Sequence, residues 1–412
     1  MKIKAFLKQW RFTVILIISV VVGSVIGVFF REKAVVFKPF GDVFLNLLFT
    51  AVVPLIFFSI SSAIASTSDL RRLGRIAGLM LVVFVITGII AAVLMLCTIK
   101  LADPAKGLSL QMEQSPVQKV DSVAEKIVNT FTVNEFSKLL TRQNILALIV
   151  FSVLTGLASQ AAGQKGQLFR EFLISGSAVM GYLIRLIMYY APIGLGAYFA
   201  YLIGKHGSDL MGAYFRVVVL YYPAALLYFG LGFSIYAFLA AGKNGVKNFW
   251  THIPPPALTA WGTGSSLAAL PANMEAARRI GVSEDVREIV LPLGATIHMD
   301  GTCLAAIVKI AVLFSLYGRD FSGIETFAGA IAVSLLCGVV MSGIPGGGFL
   351  GEVLIVSLYS FGPEALPIIS MLGTLVDPPA TMVNASGDTV AAMMVNKLLE
   401  RKRRTSPIHA GA

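Results

Sequence analysis

Leu291 to Thr302 reads LPLGATIHMDGT and places a histidine, a carboxylate, two glycines and two threonines inside a segment whose other residues are apolar. A carboxylate in such surroundings costs several kcal/mol even on lenient scales, and it needs a cationic partner. Polar breaks in lipid are tolerated only where they line a cavity or lie inside protein. The same theme recurs near the C-terminus, where Gly387, Asp388 and Thr389 follow each other in another long apolar segment. Each acid-bearing segment is preceded by a shorter one interrupted by small residues and proline: Trp261 to Pro271, WGTGSSLAALP, and Ser342 to Gly348, SGIPGGG. The halves flanking these interruptions are near a dozen residues, whereas a crossing helix needs roughly 20. Two re-entrant helical hairpins, each followed by a broken helix, are therefore predicted. Paired interrupted segments in two halves mark a transport site, because unwound backbone offers carbonyls to cations and helix N-termini to carboxylates.

The rest of the chain supplies the membrane in which such breaks make sense. Of 412 residues, 56% are hydrophobic and only 13% are charged, about half the charged fraction of a soluble protein. Apolar runs at Phe12 to Phe30, Phe40 to Ile64, Ile76 to Ile99 and Val217 to Ala240 are each long enough to cross a hydrocarbon core. The formal net charge of +11 is spread through short loops. It is read as topology by the positive-inside rule, with no nucleic-acid surface. Basic clusters at the N-terminus, at Arg71, Arg72 and Arg75, at Lys165 and Arg170, at Lys243 and Lys247 and at Arg401 to Arg404 alternate with mixed or acidic loops. Six spanning helices follow, at roughly 12–32, 40–66, 75–100, 143–162, 172–203 and 212–241, with both termini cytoplasmic and the first helix uncleaved. Cys97, Cys303 and Cys337 have no CxxC spacing and read as packing.

Asp377, Thr381, Asn384 and Asp388 recur at helical spacing and form one polar stripe, which must face the protein interior. Pro378 and Pro379 remove two amide donors beside Asp377, and a kink is expected there. The buried acids Asp300, Asp377 and Asp388 are read as ligands of a coupling cation or of a charged group of the solute, against the plainer alternative of static salt bridges. His298 is either a packed core histidine or, beside Asp300, a proton carrier. Lys309 and Glu352 are two further charges in apolar stretches that mutual pairing would relieve.

LPLGATIHMDGT and TMVNASGD, Thr381 to Asp388, resemble the broken helix and last helix of the dicarboxylate/amino acid:cation symporters, the glutamate transporter family. The serine-containing first hairpin tip and the Gly-Ile-Pro-Gly second tip match in order and spacing, and the likeness extends loosely over the whole chain. The resemblance implies an all-α integral membrane protein: six spanning helices, two re-entrant hairpins and two broken or kinked helices in inverted repeats. It implies a homotrimer in the cell membrane whose transport domain slides, elevator-like, past a scaffold. Residues 1–66 and 101–203 would be scaffold, 67–100 and 204–248 transport-domain helices, 249–400 the transport core and 401–412 a basic cytoplasmic tail.

By the same resemblance, Ser265, Ser266, Thr302 and the tip residues Ile344, Pro345, Gly346 and Gly347 would hold the solute's carboxylate, and Asp377 its amino group, with Ala380, Thr381 and Asn384 beside them. Gly294, His298, Asn384 and Asp388 would line one Na+ site. Ser59, Thr296, Met299 and the second tip would form another, and Thr87 with Asp300 a third. Three departures stand out. Ala380 takes the place where relatives for acidic solutes carry arginine, so a neutral amino acid is expected, with a C4-dicarboxylate or acidic amino acid countered by Lys309 as the alternative. His298 replaces an asparagine and Gly88 a serine, which removes oxygens from the third site and makes H+ an alternative to Na+. No organic cofactor is implied. An ion channel is the rival class, while a membrane enzyme lacks any nucleophile, base and orienter set.

Overall fold

The computed structural model describes residues 15, 18–66, 70–102, 104, 132–141, 144–206, 209–340 and 348–405. The described residues are overwhelmingly α-helical, with no strand among them. Helix α1 covers residues 18–30 and runs through a 3-10 segment, Arg31–Phe37, into α2, Lys38–Ala65. There follow α3, Leu70–Leu101, α4, Ile145–Ala161, and α5, Gln167–His206. Helix α6, Asp209–Leu227, passes through a π-helical turn, Tyr228–Gly232, into α7, Phe233–His252. Five described segments, 78–101, 163–205, 212–252, 284–316 and 365–400, are long and apolar enough to cross a membrane. The expected sixth crossing ends where predicted: backbone angles leave the helical region at Ala241 and Gly242, and Gly242 has the positive φ that residues with a side chain avoid. The long outer loop expected after 100 lies mostly outside the described residues, as do residues 1–14 with the first basic cluster and residues 406–412 of the tail.

The first hairpin consists of α8, Pro254–Thr263, and α9, Ser266–Ile280. Its turn is tighter than the sequence pattern suggests. Only Gly264 and Ser265 separate the arms; Gly264 adopts φ +60°, Ser265 caps α9 by accepting from the Ala268 amide at 3.3 Å, and Pro271 sits inside α9. Next come α10, Glu284–Ile297, and α11, Asp300–Leu316, which form one segment interrupted at His298 and Met299, as expected. The arms of the second hairpin are α12, Ile324–Val340, and α13, Gly348–Leu358. Its tip, including Ile344, Pro345, Gly346 and Gly347, lies outside the described residues.

The last helix corrects the sequence reading. Helix α14, Ala365–Thr405, runs 41 residues without a break at Asp388 or at Pro378 and Pro379. Proline removes the donor that would satisfy the carbonyl four residues back. For Pro379 that carbonyl belongs to Leu375, and the Tyr222 hydroxyl of α6 donates to it at 3.0 Å. A tertiary partner thus replaces the lost intrahelical bond, and the helix continues.

Packing falls into two groups. Helix α2 lies against α4 and α5, and the 3-10 segment joins α5. Helices α8 to α11 and α13 pack around α14, with α3 against α11 and α14. The second group is the more buried: every residue of α11 except the intermediate Ser315 is buried, although Asp300, Thr302 and Lys309 are among them.

Candidate functional site

The site is built where the break between α10 and α11 meets the polar stripe of α14. Asn384 decides this junction. Its side-chain oxygen accepts from the amides of Gly301 at 2.8 Å and Thr302 at 3.2 Å, and its amide nitrogen donates to Thr302 Oγ1 at 3.2 Å. The first amides of a helix have no intrahelical acceptor, so α14 caps α11 from outside. Gly301 lets this happen: a Cβ there would collide with the carbonyl oxygen of Ala380. Asn384, expected beside both solute and cation, also bonds across the break through its side chain. Ala380 is buried and lies against the start of α11.

Beside the break, the His298 ring bridges two acids. Its Nδ1 is 3.1 Å from Asp388 Oδ1, and its Nε2 is 3.3 Å from Asp300 Oδ1 and 3.0 Å from the Thr87 hydroxyl. Thr87 donates to Asp300 at 3.0 Å, and the Tyr228 hydroxyl donates to the other Asp300 oxygen at 2.8 Å. Phe84 stacks on the ring at 4.2 Å between centroids. Thr87, His298, Asp300 and Asp388 are all buried. A neutral imidazole can donate to one neighbour and an imidazolium to two. With both acids ionised, even the imidazolium leaves one negative charge uncompensated, and Asp388 Oδ2 is buried with no hydrogen-bond partner among the described residues. A hard cation coordinated by oxygen suits this deficit. Gly294, from the same expected Na+ set, brings its backbone against the Asp388 carboxylate, where a Cβ would lie 2.6 Å from Oδ1.

The other expected sets are joined in part. The His298 imidazole lies directly against Thr87 and Asp300, the residues of the third expected set. A Cβ on Gly88 would lie 2.7 Å from Leu335 Cδ2, the movable end of that side chain, so packing alone does not require glycine there. In the second Na+ set, Thr296 donates to Leu293 O of its own helix at 2.8 Å, Met299 is buried in the break, and Ser59 lies on α2 in the other packing group. No hydrogen bond links Ser59 to Thr296 or Met299 among the described residues.

Of the residues expected to bind solute, Asp377 and Thr381 lie at the first hairpin tip with Ser265 and Ser266. Asp377 accepts from Thr381 at 3.3 Å, and its other oxygen faces Gly264, where a Cβ would lie 2.9 Å away. Ser265 and Ser266 are buried at this tip. The sequence reading missed the residue that clamps hairpin to helix. Asn273 donates to the Ala385 carbonyl at 2.8 Å and accepts from Thr389 at 3.1 Å. A lone asparagine in an apolar helical arm was the signal available. Lys309 and Glu352 do pair, at 2.7 Å, and Ser370 donates to the second Glu352 oxygen at 2.6 Å.

The sequence matches known proteins along nearly its whole length. Residues 12–398 match the sequence model described as the sodium:dicarboxylate symporter family. A proton/sodium-glutamate symport protein of Bacillus caldotenax is 28% identical over 408 residues, covering 94% of this chain and 93% of its own. A C4-dicarboxylate transport protein of Bacillus subtilis (strain 168) is 28% identical over 397 residues, covering 93% of each chain. C4-dicarboxylate transport protein 1 of Mesorhizobium japonicum is 28% identical over 398 residues, covering 92% of this chain and 81% of its own. The solutes in these names are acidic.

Proposed function

The chain belongs to the sodium:dicarboxylate symporter family, a family of cation-coupled secondary transporters, and from that premise we propose that it imports an acidic solute, a C4-dicarboxylate or an acidic amino acid, down a cation gradient. The neutral amino acid expected from Ala380 is set aside, because the named relatives carry glutamate or C4-dicarboxylates. The observation that carries the coupling half of the proposal is the pair of buried carboxylates, Asp300 and Asp388, that share one imidazole, with Asp388 Oδ2 lacking a hydrogen-bond partner among the described residues. A cation bound there relieves that charge, so ion and solute assist each other through shared elements. The shared elements are α11 and α14, joined through Asn384.

Gly294, Asp388 and the α10–α11 break form the cation site in this reading, and Na+ is the ion its oxygens suit. His298 takes the place of one cation expected from the family likeness, so the coupled ions are fewer. Ser265, Ser266, Thr302, Asp377 and Thr381 contact the solute, together with the second hairpin tip. The transport domain comprises α3 and α6 to α14, and the scaffold α1, α2, α4 and α5; the two packing groups support this division. An elevator movement of one group past the other in a homotrimer, with both termini cytoplasmic in a bacterial-type inner membrane, completes the proposal.

Uptake into proteoliposomes tests it. Radiolabelled succinate, fumarate, aspartate, glutamate, alanine and serine are offered under separate inward Na+ and H+ gradients. Saturable uptake of an acidic solute that collapses when the driving gradient is removed is the expected result. Uptake of neutral solutes alone, or flux that never saturates and shows no counterflow, refutes the proposal.

A further inference from the structure

Lys309 stands apart from every other basic side chain described. Among the described residues no other lysine or arginine is buried, and its side chain is 7% exposed. It lies on α11 seven residues after Thr302, two helical turns along the same face. Its ammonium reaches Glu352 on α13 at 2.7 Å and lies against α14, where a Cβ on Gly373 would be 3.0 Å from Nζ and would collide with Glu352 Oε1. Gly373 is one turn from Asp377, the acid at the first hairpin tip. Glu352 is the fifth residue of α13. Through Gly373 the charge pair therefore lies about one helical turn along α14 from Asp377, beside the first hairpin tip.

A static structural role accounts poorly for the pair. Burying two charges costs desolvation that their attraction often fails to repay, so apolar residues of similar size would serve packing as well. An ammonium has three N–H donors, and Glu352 is the one acceptor that Lys309 has among the described residues. Glu352 is the better served partner, since Ser370 also donates to it.

We propose that Lys309 is the counter-charge for the second carboxylate of a dianionic solute, a specificity-determining residue that keeps Glu352 as its resting partner and turns a further N–H toward the solute. A dianion entering a buried pocket needs a fixed cation, and Ala380 provides none. The proposal rests on the acidic-solute reading above and narrows it: the solute carries two carboxylates, and Lys309 selects the second.

The test uses purified full-length protein and three variants: Lys309→Met, Lys309→Arg and the double variant K309M/E352Q. Lys309→Met alone strands the Glu352 charge and risks misfolding, whereas the double variant removes both charges with little change of volume. Thermal melting reports folding. Competition of bound label by succinate and by its monomethyl ester reports selectivity. The double variant is expected to melt within a few degrees of the parent and to lose succinate affinity by roughly 30-fold or more. Affinity for the monoanionic ester is expected to change by less than about threefold, because only the contact to the second carboxylate is lost. Lys309→Arg is expected to retain part of the preference for succinate. Unchanged succinate affinity in a folded double variant overturns the Lys309 assignment while leaving the acidic-solute reading intact. A parent protein that binds no acidic solute overturns both.

Discussion

Asp388→Asn isolates the charge that draws the cation, because it removes one unit of negative charge while keeping shape and hydrogen-bonding capacity. Asp388 is fully buried, with one oxygen 3.1 Å from His298 Nδ1 and the other without a hydrogen-bond partner among the described residues. In the parent, two carboxylates surround one imidazole. In the variant, an imidazolium and one carboxylate balance, and the reason to bind a cation disappears. A unit charge about 4 Å from a bound cation contributes about 4 kcal/mol at an effective dielectric of 20, or roughly a thousandfold in affinity. The asparagine oxygen still coordinates as a dipole, so a loss of about 2 to 4 kcal/mol is expected, roughly 30- to 1,000-fold in the Na+ dissociation constant. The assay is Na+ titration of the purified protein without solute, read by thermal shift and by displacement of ²²Na+. Melting in saturating Na+ should fall relative to the parent, while melting without Na+ should hold or rise, since an uncompensated buried charge has been removed. A variant whose Na+ midpoint moves less than threefold takes Asp388 out of the cation site.

Three other substitutions probe the supports of the site. His298→Asn withdraws the ring from between Asp300 and Asp388 and leaves two buried carboxylates facing each other; melting without Na+ should drop, and Na+ should restore more stability than in the parent, so a Na+-insensitive variant contradicts the bridging role. Gly301→Ala places a methyl group against the Ala380 carbonyl, and overpacking of about 1 to 3 kcal/mol or more should appear as a lower melting temperature and lost solute binding; normal melting would show that α11 and α14 do not cross that closely. Tyr222→Phe removes the donor to the Leu375 carbonyl freed by Pro379 and should cost about 1 to 3 kcal/mol; restoring the missing backbone donor with Pro379→Ala should recover most of that loss, and no recovery would mean that the hydroxyl acts elsewhere.

Much of the architecture is legible along the chain because the bilayer imposes it. Hydrocarbon thickness sets helix length, and unpaired backbone cannot face lipid, so long apolar runs and small-residue interruptions translate directly into crossings and hairpins. The gap at His298 and Met299, the hairpin turn at Gly264 and the pairing of Lys309 with Glu352 were all readable on those grounds. So was the stripe through Asp377, Thr381, Asn384 and Asp388, since helical spacing alone puts these residues on one face.

What the residue order left open depends on partners far apart in the chain. Two consecutive prolines predict a disturbed helix by local rules; only the fold shows that Tyr222, 153 positions before Leu375, supplies the donor that Pro379 removes and that α14 runs on as helix. The acids announce a need for positive charge, but only packing shows that His298 joins Asp300 to Asp388 and that one Asp388 oxygen remains unserved. Asn384 reads as a ligand in the sequence, and only the fold shows that its side chain also caps another helix. Sequence alone determined that charge and broken backbone lie within the membrane, because transfer energies belong to individual residues. Tertiary structure decided which of those groups satisfy one another and which are left for solute and ion, because a hydrogen bond requires its donor and acceptor to meet.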